Sequence, residues 1–160
     1  MTRLRGLPPI IDERARVLIL GSFPSAASLA ARHYYAHRQN QFWRVLAAIL
    51  ELPLPELDYP AKQAALKAAG IAVWDVYGAC EREGSLDTAI RAGEANRFET
   101  LKRLAPPLAR VCFNGHTAAK FAPALAALGY ETVVLPSTSP ANAGWSFERK
   151  LEVWRPALRD

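Results

Sequence analysis

Four short apolar runs, at residues 16–20, 71–75, 110–113 and 131–135, limit what this chain can fold into. A strand with one wet face alternates apolar with polar residues. These runs are close to continuously apolar, so they predict strands covered on both faces. Between and after them, apolar residues recur at helical spacing over 26–32, 41–50, 61–69, 98–104, 117–128 and 146–158. Strands alternating with helices through right-handed crossovers give a parallel sheet with helices on each side. The expected fold is therefore α/β, a three-layer α/β/α sandwich around a four-stranded parallel sheet. A length of 160 residues, 51% of them hydrophobic, suits one domain over residues 1–160 with a two-sided core. There is no internal repeat, low-complexity tract or linker. Residues 80–96 read as a long polar connection, and such loops are more often functional than idle. Within it, Ser85-Leu86-Asp87 suits both the cap of a short helix and contact with a ligand.

Each run is closed by a polar cluster: Gly21-Ser22-Phe23-Pro24-Ser25, Asp75-Val76-Tyr77-Gly78, Asn114-Gly115-His116-Thr117 and Pro136-Ser137-Thr138-Ser139-Pro140. In an open parallel sheet the loops leaving the carboxyl ends of the strands converge on one crevice, so these clusters are expected to face a common ligand. The segment Tyr34-Tyr35-Ala36-His37-Arg38-Gln39-Asn40-Gln41-Phe42-Trp43 adds rings, amides and cations suited to a flat, hydrogen-bonding ligand. Two adjacent tyrosines in a loop do not both pack easily into the core, so one is expected at the crevice. Ser25 and Asn40 are good helix N-caps by type, and each is also placed to meet a ligand. Phe42, Trp43, Leu46 and Leu50 recur at helical spacing and read as core.

Several chemistries are disfavoured. The first cluster lacks both the G-x-G-x-x-G of dinucleotide sites and the G-K-S/T of a phosphate loop. The third and fourth contain no G-x-S-x-G elbow. His33, His37, His116, Cys80 and Cys112 form no metal-ligand spacing, so neither a metal nor a cofactor is expected. The two isolated cysteines read as buried thiols in a reducing compartment. No run reaches the ~18 apolar residues of a membrane helix, and the first residues lack a signal-peptide core, so a cytoplasmic location is expected. A net charge of +5 makes a polyanion a plausible partner through counterion release, though many basic proteins bind none. The hydroxyls and backbone N–H groups of Ser137-Thr138-Ser139-Pro140 suit a phosphodiester clamp.

Taken together, G-S-F-P-S, Y-Y-A-H-x-x-N-x-F-W, F-N-G and L-P-S-T-S-P-A-N resemble the uracil-DNA glycosylase superfamily and, within it, the hypoxanthine-DNA glycosylase branch. The resemblance runs from about Val17 to Trp154 and includes Gly70-Ile71-Ala72-Val73-Trp74-Asp75-Val76. It implies the three-layer fold already read from the pattern. It also implies hydrolysis of the N-glycosidic bond of a deaminated base in DNA, chiefly hypoxanthine, by base flipping in base excision repair. By the same resemblance Asn40 is catalytic. Tyr35 stacks on the flipped base, and Phe23, Ser22 and Asn114 frame it. Ser137, Thr138, Ser139, Pro140, Ala141 and Asn142, with Ser25, contact DNA. The expected partner is damaged DNA, double- or single-stranded, bound by a monomer.

Two positions depart from related branches. Phe23 stands where others carry a water-activating Asp or Asn, and Ser137 stands where the uracil-specific branch has His. The work then shifts to Asn40 and the loop amides. No lysine lies in the loop motifs, which favours direct hydrolysis over a Schiff base. The small tip Ala141-Asn142-Ala143 offers no apolar wedge, so lesions that are already poorly paired are expected to react faster. Other readings remain open from sequence: a uracil glycosylase acting at G/U mismatches, a lesion-binding protein that does not cut, and a nucleotide phosphoesterase.

Overall fold

The computed structural model describes residues 2–159. In chain order the strands are β1 (Arg3–Arg5), β2 (Val17–Gly21), β3 (Ile71–Asp75), β4 (Tyr77–Glu81), β5 (Arg91–Ala95), β6 (Arg110–Asn114) and β7 (Glu131–Leu135). The α-helices are α1 (Ala26–Ala31), α2 (Phe42–Leu50), α3 (Tyr59–Ala68), α4 (Leu101–Leu104), α5 (His116–Ala119), α6 (Ala122–Ala127) and α7 (Phe147–Ala157). Strands β3-β2-β6-β7, in that order and all parallel, form the central sheet. Every residue of β2 and β3 is buried, as continuous apolar runs require of strands covered on both faces. The four-stranded parallel α/β architecture matches the sequence expectation.

The connection from β2 leads to β3 on one side, and that from β6 leads to β7 on the other. The gap between the carboxyl ends of β2 and β6 is thus the point where the winding reverses, and a crevice opens there. Helices α2 and α7 join across the core, with the Phe42 ring edge-on to Trp154 at 6.2 Å. The last helix also reaches both walls of the crevice. Trp154 Nε1 donates to the Pro136 carbonyl at 2.9 Å, and the buried Lys150 ammonium donates to Gln41 Oε1 at 2.8 Å.

Two parts of the pattern come out differently. Residues 80–96 are not one long loop, because β1, β4 and β5 form a separate antiparallel sheet in the order β1-β4-β5. Strand β5, Arg-Ala-Gly-Glu-Ala, is exposed along its whole length and so carries no apolar alternation to announce it. The expected helix over 117–128 is two helices, α5 and α6. Pro123 lacks an N–H and its ring clashes with the carbonyl four residues earlier, so the chain restarts with proline in the first turn of α6. Cys80 and Cys112 are buried free thiols.

Trp154 is fully buried, and its removal takes away both a large apolar body and the hydrogen bond to Pro136. Trp154→Ala is expected to lower stability by about 3–5 kcal/mol, the range for aromatic truncation in a core. A urea titration with unchanged slope and a lower midpoint checks this.

Candidate active site

The crevice has a volume of about 310 Å³, room for a small planar group, and the candidate site residues line it with the exception of Pro140; of the four clusters expected to face it, Val76-Tyr77-Gly78, Gly115-His116-Thr117 and Pro136 do not line it. Both adjacent tyrosines line the crevice, where one was expected. Tyr34 is buried, donating its hydroxyl to the Leu7 carbonyl at 3.1 Å, and Tyr35 is partly buried. Tyr35 adopts φ 56°, a left-handed conformation uncommon for an aromatic residue, which turns it away from the course of its neighbour. Its ring stacks on Phe42 at 4.0 Å and 15°, so one face is already taken. Phe23, nearly buried, carries the Arg82 guanidinium 5.2 Å from its ring centre. Arg82 in turn donates to the Pro24 carbonyl at 2.6 Å and the Gly84 carbonyl at 2.9 Å, fixing the loop after β2 against the loop after β4.

Asn40 sits one residue before the N-cap of α2. Its Oδ1 accepts the Phe42 N–H at 2.9 Å, which fixes the orientation of the amide. The second lone pair of Oδ1 and both Nδ2 protons stay available at the crevice. The backbone here is clamped, since Gln41 N–H donates to the Thr138 carbonyl at 3.0 Å.

Asn114 is used up by the fold. Its Nδ2 donates to the Tyr35 hydroxyl at 3.2 Å and Thr138 Oγ1 at 3.0 Å, and its Oδ1 accepts the Thr138 N–H at 3.0 Å. Gly115, at φ 98°, turns the chain sharply enough that any side chain would press on Ser137. Thr138 is correspondingly buried. Ser137 and Ser139 differ from it, because their hydroxyl oxygens accept loop N–H groups of Ser139 at 3.1 Å and Ala141 at 3.2 Å. The hydroxyl protons remain free to be donated outward. Ser25 caps α1, accepting the Ser28 N–H at 3.1 Å. Ser22 donates to Asp87 Oδ1 at 2.6 Å.

Three other lining residues, His37, Asp75 and Asp87, were expected from sequence only as members of ligand-facing segments, with no role of their own. Asp75 is the most unusual. It ends β3, opposite Gly21 in the parallel register, and is 5% exposed with Oδ2 lacking any hydrogen-bond partner among the described residues. A methyl group at Gly21 would lie 2.6 Å from Asp75 Oδ1 and 2.9 Å from the Tyr35 hydroxyl. Glycine is what lets these two polar groups meet the crevice side by side. Burial pushes the Asp75 carboxyl from the ordinary 3.8 up to about 7; the Asp87 charge adds to this and Arg82 opposes it. Its apolar flank, Ala72 to Trp74, gave no sign of this. The only available signal was an acidic residue closing an otherwise apolar run.

Among the described residues no group of three or more His, Cys, Asp or Glu side chains is arranged to hold a metal ion. No helix among them is long and apolar enough to cross a membrane.

A parallel α/β sheet whose switch-point crevice is framed by Phe23, Tyr35, Asn40 and a hydroxyl-rich last loop agrees with comparison to known proteins. The chain belongs to the Uracil DNA glycosylase superfamily, whose family model matches residues 8–158. It is 42% identical over 155 residues to proteins named hypoxanthine DNA glycosylase from Methanosarcina barkeri and Methanosarcina acetivorans, covering 97% of this chain and 98% of each relative. It also superimposes, with a TM-score of 0.89 and 41% identity over 99% of this chain and 98% of the other, on a solution NMR structure from Methanosarcina acetivorans provisionally described as a uracil DNA glycosylase.

Because Asp75 keeps its proton to about pH 7 when folded and only to about pH 4 when unfolded, the folded state binds more protons in between, and stability declines as pH rises through that window. Asp75→Asn is expected to abolish this decline and to raise stability at pH 8 by a few kcal/mol. Urea midpoints of both proteins at pH 5 and pH 8 provide the check. Equal pH dependence in the two would remove the buried proton from the account.

Proposed function

We propose that this chain is a monofunctional DNA glycosylase that hydrolyses the N-glycosidic bond of deaminated bases, chiefly hypoxanthine, as a monomer in the cytoplasm. The observation that carries the reading is the meeting, in one crevice of about 310 Å³, of an aromatic frame, the Asn40 amide and the buried Asp75 carboxyl, which burial pushes up to about 7. The names of the two relatives that match almost end to end support the same activity.

A base inside a duplex cannot reach such a crevice, so it must be flipped out. Once there, Phe23 and the open face of Tyr35 bound its plane. The protonated Asp75 carboxyl presents a donor and an acceptor together, which fits the lactam edge of hypoxanthine, C=O beside N–H. As the bond from the sugar C1′ to the base nitrogen breaks, its electron pair goes to the base. A neutral acid that donates a hydrogen bond to that developing charge stabilises departure without needing an imidazole. The sugar becomes oxocarbenium-like, and the negative charge of Asp87, at the same crevice, favours it.

Asn40 cannot take a proton, so its part is to orient water toward C1′. Orientation alone is worth several kcal/mol. The water oxygen then bonds to C1′ and its surplus proton passes to the departing base or to solvent. No lysine lines the crevice, which supports direct hydrolysis rather than an imine to the sugar. The free hydroxyl protons of Ser137 and Ser139 provide donors for phosphate oxygens, and the net charge of +5 supports binding to the DNA backbone.

Oligonucleotides carrying inosine, uracil or xanthine provide the test, with inosine expected to release its base fastest and no adduct expected on borohydride treatment. Asn40→Ala should lower single-turnover release from inosine by at least a hundredfold, with DNA affinity little changed and stability reduced by only about 1 kcal/mol. Near-normal release would leave Asn40 a helix cap and nothing more. Asp75→Asn should retain release and flatten its fall above pH 7, because the amide keeps one donor and one acceptor. A variant dead at every pH, together with a wild-type rate that climbs with pH, would instead make Asp75 the base that activates water.

A further inference from the structure

Extruding a base into the crevice leaves a gap in the stack. The loop after β7 has nothing apolar of any size to fill the gap, because its tip is Ala141, Asn142 and Ala143. The opposite rim does. Leu86, on the connection between β4 and β5, lines the mouth of the crevice and is 61% exposed, more than any other large apolar side chain among the described residues.

Its support is rigid on both sides. Ser85 Oγ accepts the Ala26 N–H at 2.9 Å, and Asp87 Oδ1 accepts the Ser22 hydroxyl at 2.6 Å, so the residues flanking Leu86 are each bonded to the segment that follows β2. Arg82 braces the start of the same loop through the Gly84 and Pro24 carbonyls. The backbone then enters a short 3-10 turn, Asp87–Ala89, with Leu86 as its N-cap. A leucine on a free loop could fold back onto the surface. This one is held outward at the rim by fixed neighbours while its own side chain stays in water.

We propose that Leu86 enters the DNA stack where the flipped base has left, a wedge supplied by the β4–β5 connection and not by the loop after β7. Apolar side chains inserted at base steps are a recurrent means of stabilising distorted duplexes. The proposal rests on the glycosylase reading above. Leu86 touches neither the scissile bond nor the base plane in this arrangement, so its effect should appear only where a stack must be opened.

The experiment is single-turnover base release by Leu86→Ala, Leu86→Met and the wild-type protein, from inosine in a fully paired duplex and from inosine in a single strand. Thermal melting of each variant verifies the fold, which an exposed side chain should not disturb. Leu86→Ala is expected to lose at least fivefold more rate on the paired duplex than on the single strand, with Leu86→Met restoring most of it. A differential below fivefold, whether because both substrates are unaffected or because both fall together, overturns the wedge. Absence of release by the wild-type protein from both substrates would overturn the glycosylase reading itself, and the wedge with it.

Discussion

The three hydrogen bonds of the Asn114 amide hold the site together. Asn114 ends a central strand, and its side chain reaches Tyr35 from the segment before α2 and Thr138 from the loop after β7. Thr138 then accepts the Gln41 N–H through its carbonyl, so the segment bearing Asn40 is bonded back to the same pair. Three stretches far apart in sequence are thereby fixed around one half-buried amide. Loss of any member leaves polar groups without partners in a poorly solvated place, which is costlier than the bond itself. For this reason Asn114 is better understood as the brace of the crevice.

Electrostatics at the crevice follow from what the fold buries. Two carboxylates stand at one opening, and they are treated differently. Asp87 is exposed and bonded to the Ser22 hydroxyl, while Asp75 is enclosed beside Tyr34 and Tyr35 with an orphan oxygen. Burial, with the neighbouring Asp87 charge, pushes the Asp75 carboxyl up to about 7. One residue type thus meets two different environments at the same opening. The first polar cluster has no acid of its own, and the parallel register supplies one from the adjacent strand, opposite Gly21.

The central sheet was legible because strands buried on both faces leave an unbroken apolar mark that needs no partner to be seen. The same reasoning explains where legibility stopped. Arg3–Arg5 and Arg91–Ala95 pair only with β4, largely in solvent, so their sequences record no buried face. The crevice itself was largely readable, since polar residues clustered at strand ends have few other places to go. What could not be read was which of them the fold would enclose. Asp75 looks from its neighbours like a strand terminator, and only the long-range arrival of the tyrosines seals it. Leu86 looks like an ordinary loop residue until the braces on either side are known.

The bonds from α7 make two walls of the crevice depend on one helix. Lys150 secures Gln41, next to Asn40, and Trp154 secures Pro136 at the root of the hydroxyl-rich loop. Fraying of that single helix would loosen both walls at once, so the width of the cleft and the packing of the last helix rise and fall together.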